Sequence, residues 1–170
     1  MSTIKQKAHK NALKWLRDEF YWSENDPTGP FGSFEGMRAF EGFEKWRASH
    51  QEVPIVPYIG DFLHKTANLS LSDYNNNLVD RDSMEAQIQN RKFDDYRNIF
   101  SVDVSIIAIV LGQFVLEGKI DKDLYPILYV AIERLMLWNE LQNDFDRTCE
   151  NHIINLYNMK TTLEKLAPQP

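Results

Sequence analysis

The sequence predicts an all-α fold, and three observations carry that reading. Apolar residues recur at three- and four-residue steps along most of the chain. No segment alternates polar and apolar residues as a half-buried strand does, and Pro, Gly and Asn gather between the periodic stretches. With 170 residues and 43% hydrophobic side chains, the expectation is a single compact domain of six or seven helices. Flexible loops are expected at about 22–33 and 70–80.

Ile4, Ala8, Ala12, Trp15, Leu16 and Phe20 describe a first amphipathic helix, ended by the turn-rich Ser23–Pro30. A second runs from about Ser33 to Ser49 with Phe34, Met37, Phe40, Phe43 and Trp46 as its apolar stripe. Gly36 and Gly42 inside it each cost about 1 kcal/mol relative to Ala, so close packing or a break is expected there. Pro54 and Pro57 fix φ and push Val53 and Val56 toward extended backbone, giving a stiff entry to a short helix over Asp61–Leu69. Gly60 leaves room for a neighbour to approach. Ser70–Val79, with three consecutive Asn, reads as a loop.

Asp82-Ser-Met-Glu85 has the form of a capping box opening a helix through Phe100, and Ser101 is placed to cap the next one. That next stretch, Val102–Leu116, is the most apolar of the chain but includes Asp103, Ser105 and Gln113. It is too short to cross a bilayer and reads as a buried helix. Gly118-Lys-Ile-Asp-Lys-Asp123 is a stop followed by a start, Gly supplying the left-handed C-cap and Asp the next N-cap. Leu124, Leu128, Ala131, Leu135, Trp138, Leu141 and Phe145 then keep helical period, with Pro126 tolerable only in the first turn. A last helix from about Asn151 carries Ile153, Leu156, Tyr157, Leu163 and Leu166.

A net charge of -6 argues against nucleic acid as a main partner, because phosphate binding needs a basic surface. Lys5, Lys7, Lys10, Lys14 and Arg17 read as a solvated helix face. The single Cys149 allows no internal disulfide. Met-Ser-Thr-Ile-Lys lacks a signal-peptide core, so a soluble, cytoplasmic protein with no membrane partner is expected.

Pro54-Ile-Val-Pro-Tyr-Ile-Gly-Asp-Phe-Leu63 resembles the Pro-x-Ile/Val-Pro-Phe/Tyr-x-Gly-x-Tyr/Phe-Leu signature of the Ras-type guanine-nucleotide exchange domain. Ala12–Arg17, Phe43-Glu-Lys-Trp-Arg47 and Ile88-Gln-Asn-Arg-Lys92 are similar to flanking elements of that family, so the likeness covers roughly residues 12–100. It implies an interaction module that engages a small GTPase through the segment behind the elbow. Tyr58, Asp61, His64, Lys65, Asn68 and Asp73 would be the contact residues. In the family this segment is a projecting helical hairpin that wedges open the nucleotide site, with no bond-making group. The chain departs from the pattern at His64-Lys65-Thr66. It also lacks the family's Glu-Glu-Gly turn and its perturbing acidic side chain, to which only Asp73 lies near.

Two alternatives stand beside it. One is a helical interaction or homo-oligomerisation protein of bacterial or phage type; the segment from the apolar helix through Trp138 resembles uncharacterised bacterial helical proteins. The other is a metal-dependent hydrolase on Glu133, Glu140 and Asp144, spaced seven and four apart on one helix face. No Glu-x-x-His or His-x-x-x-His pattern accompanies those carboxylates, so no metal or cofactor is expected. Of the four histidines, His64 stands at the start of the wedge that the resemblance implies. Cys149, with His152 and Glu150 near it, reads as inert because its setting is acidic. Tyr21, Trp22, Phe31 and Phe34 read as core beneath the first loop.

Overall fold

A computed structural model describes residues 2–168, and among them there is no strand. The helices are α1 (Thr3–Gln6), α2 (Lys10–Trp15), α3 (Phe34–Ser49), α4 (Val56–Ala67) and α5 (Arg81–Gln89). A π-helical turn (Tyr96–Ser101) then leads directly into α6 (Val102–Glu117), followed by α7 (Tyr125–Glu140) and α8 (Arg147–Leu166). The all-α reading holds, with one continuous core and more helices than expected.

α6 is the axis of the fold. Every residue from Val102 to Val115 is buried, as befits a helix apolar on all sides. α3 and α7 pack against it and α8 packs on α7. Joined to the π turn, this helix spans Tyr96–Glu117, long and apolar enough by composition to cross a bilayer; 89% of its most apolar window is buried inside the protein. The expected break at Ser101 is absent, and Ser101 makes no capping bond.

The polar residues of α6 each meet a partner. Asp103 accepts from Arg134 Nε at 2.7 Å and from the Tyr74 hydroxyl at 2.6 Å. Arg134 also donates to the Asn98 carbonyl at 3.1 Å, which fastens the π turn to α7. Burial raises the Asp103 carboxyl above its ordinary range even against the pull of Arg134. Burial pulls the guanidinium down, but Asp103 outweighs it and holds Arg134 above its usual value. Gln113 is tied to Asp121 by two hydrogen bonds, closing the α6–α7 connector.

Several local expectations hold. α3 begins beside Ser33 and ends at Ser49, as expected, and Ser33 itself caps it by accepting from Gly36 N at 3.0 Å. Gly118 has φ 73°, and a Cβ there would collide with the His9 ring beneath it. Pro126 sits in the first turn of α7.

Others are corrected. The first helix breaks in two because His9 donates its N–H to the Val115 carbonyl at 2.7 Å while its ring caps α2 at Asn11 N. The cap of α5 is Asp80, not Asp82, and α5 ends at Gln89 rather than Phe100. α4 starts at Val56, five residues earlier than Asp61, because Pro57 lies among the first helical positions, where an N–H has no partner anyway. Gly60 meets only ordinary contact with Leu71, so no close approach is made there. The 70–79 loop is two 3₁₀ turns, Leu71–Asp73 and Asn76–Leu78, moored by the buried Tyr74.

Candidate functional site

The segment behind the elbow lies against the body instead of projecting as a hairpin. Ile55, just before α4, and Ile59 and Leu63 on it fall at four-residue steps along one face and are fully buried. Peeling that face away would expose roughly 5–9 kcal/mol of aliphatic burial. With that face fixed to the body, the opposite face of α4 is the one open to solvent.

That outer face carries Asp61, His64, Lys65 and Asn68, all exposed, with Tyr58 half-buried. Tyr58 packs on Trp46 and Phe43, with centroids 4.6 and 5.9 Å away, and burial pushes its hydroxyl pKa up. Asn68 ends α4 in the left-handed conformation, φ 49°, with Leu69 N donating to the Leu63 carbonyl. Its backbone therefore has a structural task before any binding task. Asp73 is engaged by Ser70, whose hydroxyl donates to it at 2.8 Å.

Of the six anticipated contact residues, Tyr58 and Lys65 line a cleft. It is a groove of about 500 Å³ between α3 and α4, floored by Val102, Ser105 and Ile109 of α6. Phe34, at its edge, is 74% exposed because the buried stripe of α3 runs through Gly36, Phe40, Phe43 and Arg47 instead. The rim carries Arg38, Lys65 and Arg97 against a single acid, Glu35. None of those three cations is in an ion pair among the described residues. Glu35 is partly occupied, accepting from the Tyr96 hydroxyl at 2.9 Å. On a chain of net charge -6 this is a local basic patch over an apolar floor.

A second cleft, of about 490 Å³, opens on the other flank of the π turn toward α7 and α8. Arg97 and Ser101 of the turn line the first groove, whereas Tyr96 and Phe100 line the second. His152 lies in this second cleft with 5% of its surface exposed. Burial lowers its pKa from 6.5 to about 4, so the ring is neutral near pH 7.

The proposed metal triad does not assemble. Glu133 pairs with Lys160 at 3.1 Å, Glu140 pairs with Arg81 at 2.8 Å, and Asp144 lies beyond the end of α7. Among the described residues no three His, Cys, Asp or Glu side chains are grouped to hold a metal ion. Cys149 lines the second cleft without a hydrogen bond from its thiol to His152. Tyr21, Trp22 and Phe31 are buried, as core packing requires.

Sequence reasoning missed Arg38 and Arg97, which no local pattern marks. It read His152 only as a scattered histidine near Cys149, although His152, Leu156, Met159 and Leu163 make one helical stripe, so a buried histidine was readable there. Comparison of the chain with family models, curated proteins and solved structures gives no match.

Proposed function

We propose that this chain is a protein-binding module that receives an acidic, apolar segment of its partner in the α3–α4 groove. The observation that carries the reading is the pairing of an apolar floor and exposed Phe34 with three cations that form no ion pair among the described residues. Aromatic and Arg side chains at a desolvating groove supply a large share of interface energy. Opposite charge at the rim steers encounter and rejects basic competitors.

The resemblance to Ras-type exchange domains supports a narrower form, in which the partner is a small GTPase. Contact would run through Tyr58 and Lys65 with the outer face of α4. Because α4 is fastened by Ile55, Ile59 and Leu63, engagement occurs on the docked helix without insertion of a hairpin. Acceleration of nucleotide release would then need preferential affinity for the nucleotide-free state.

Selection of peptides from a displayed library against the full chain tests the broader form. Acidic peptides with aromatic or aliphatic anchors, lost on Arg38→Glu with Arg97→Glu, are expected. Selected peptides that are basic, or that survive both substitutions, contradict it. A panel of small GTPases loaded with fluorescent nucleotide tests the narrower form: binding sensitive to Lys65→Glu supports it, and no binding by any member removes it. Self-association through the groove would appear as a concentration-dependent mass abolished by the same charge reversals, and would replace the partner with a second copy.

A further inference from the structure

The second cleft has a chemistry of its own. Its wall is aromatic: Tyr96 stacks on Phe100 at 4.7 Å, and Trp138 leans on Phe100 at 5.2 Å. Its charged lining residues are Asp95, Asp144 and Asp146, and neither Lys nor Arg is among the lining. Asp95 and Asp146 each spend one carboxylate oxygen internally, on Trp138 Nε1 at 2.8 Å and on Cys149 N at 3.0 Å. Asp144 is exposed and has no partner among the described residues.

His152 at the floor supplies an oriented donor. Asn139 Nδ2 donates to the Leu135 carbonyl at 2.8 Å, which fixes the amide orientation. The same nitrogen lies 3.1 Å from His152 Nδ1, so Nδ1 accepts and the ring proton sits on Nε2. Nε2 has no partner among the described residues, while no buried side-chain nitrogen or oxygen is left unpaired. Nε2 is therefore not sealed off, and His152 is one of the residues lining the cleft, although the residue as a whole is deeply buried.

We infer that this cleft binds a small organic cation that also carries a hydrogen-bond-accepting oxygen. The carboxylates attract the positive charge, and the Tyr96 ring, 48% exposed, offers an aromatic face to an ammonium group. The oxygen accepts from His152 Nε2–H at the floor. An anion is repelled by the same carboxylates, and a purely apolar ligand leaves the His152 donor unsatisfied.

Titration of the isotope-labelled full chain with choline chloride, followed through the Trp138 Nε1–H and His152 ring resonances, tests the inference. A parallel titration uses the uncharged alcohol in which carbon replaces the quaternary nitrogen. Saturable shifts at both residues are expected with choline, and binding of the neutral alcohol about tenfold weaker. Asp144→Asn, at an exposed position with no internal partner, should weaken choline several-fold while leaving the melting temperature unchanged. Equal binding of the two alcohols, shifts confined to other residues, absence of saturation, or indifference to Asp144→Asn would each overturn it. Since the α3–α4 groove contributes no residue to this cleft, the outcome is separable from the fate of the protein-binding proposal.

Discussion

The two clefts beside the π turn are nearly equal in volume and opposite in character. One carries Arg38, Lys65 and Arg97 over an aliphatic floor; the other carries Asp95, Asp144 and Asp146 beside an aromatic wall with a buried histidine beneath. Both take walls from the same six-residue turn, Tyr96–Ser101. Size therefore says little about what each receives, and the sign of the rim with the depth of its polar groups says more. The π turn opens the helical run that continues as α6, and it divides consecutive side chains between the two clefts.

The comparison breaks most completely if the turn is unpinned. Arg134→Met removes the bond to the Asn98 carbonyl and leaves Asp103 buried without its cation. A loss of about 3–5 kcal/mol is expected in urea unfolding, with the ligand affinities of both clefts reduced together. A change below about 1 kcal/mol would mean that the pair does not hold the turn.

Next in size is the pH response of the acidic cleft. The folded-state pKa of His152 is depressed from 6.5 to about 4, so the unfolded chain takes up the proton first as pH falls. Its contribution is fully present above pH 6.5 and is lost toward pH 4, up to about 3 kcal/mol. His152→Asn, which retains an acceptor for Asn139, should flatten that part of the stability profile relative to wild type. Parallel profiles across this window would show that the ring titrates normally in the folded protein.

Smaller still are effects confined to one cleft. Arg38→Glu with Arg97→Glu should leave stability within about 0.5 kcal/mol, since neither side chain is ion-paired among the described residues. It should weaken an acidic peptide by about tenfold or more and spare choline. Phe34→Ser, at a 74% exposed position, should be silent in thermal melting and visible only in peptide affinity. Any melting shift of several degrees would place Phe34 in the core after all.

What the sequence disclosed follows the range of each cause. The span of α3, the Gly118 stop and the apolar run of α6 are local, and each was readable from a few neighbouring residues. The break at His9 was hidden because its cause is the carbonyl of Val115, far along the chain. The continuity through Ser101 was hidden likewise, being set by Arg134 reaching Asn98 and Asp103. In the sites, Tyr58 and Lys65 were reached through the elbow, whereas Arg38 and Arg97 gather only when α3 and the π turn are laid beside α4. The carboxylate ladder Glu133, Glu140, Asp144 misled because its spacing assumed a helix extending past Glu140.

Chemical-shift mapping of one labelled sample with two probes tests the central division directly. With a library-selected acidic peptide, shifts should centre on Ala39, Gly42 and Lys65. With choline they should centre on Trp138 and His152, and neither probe should displace the other. Both probes converging on one cleft, or competing for it, would contradict the account.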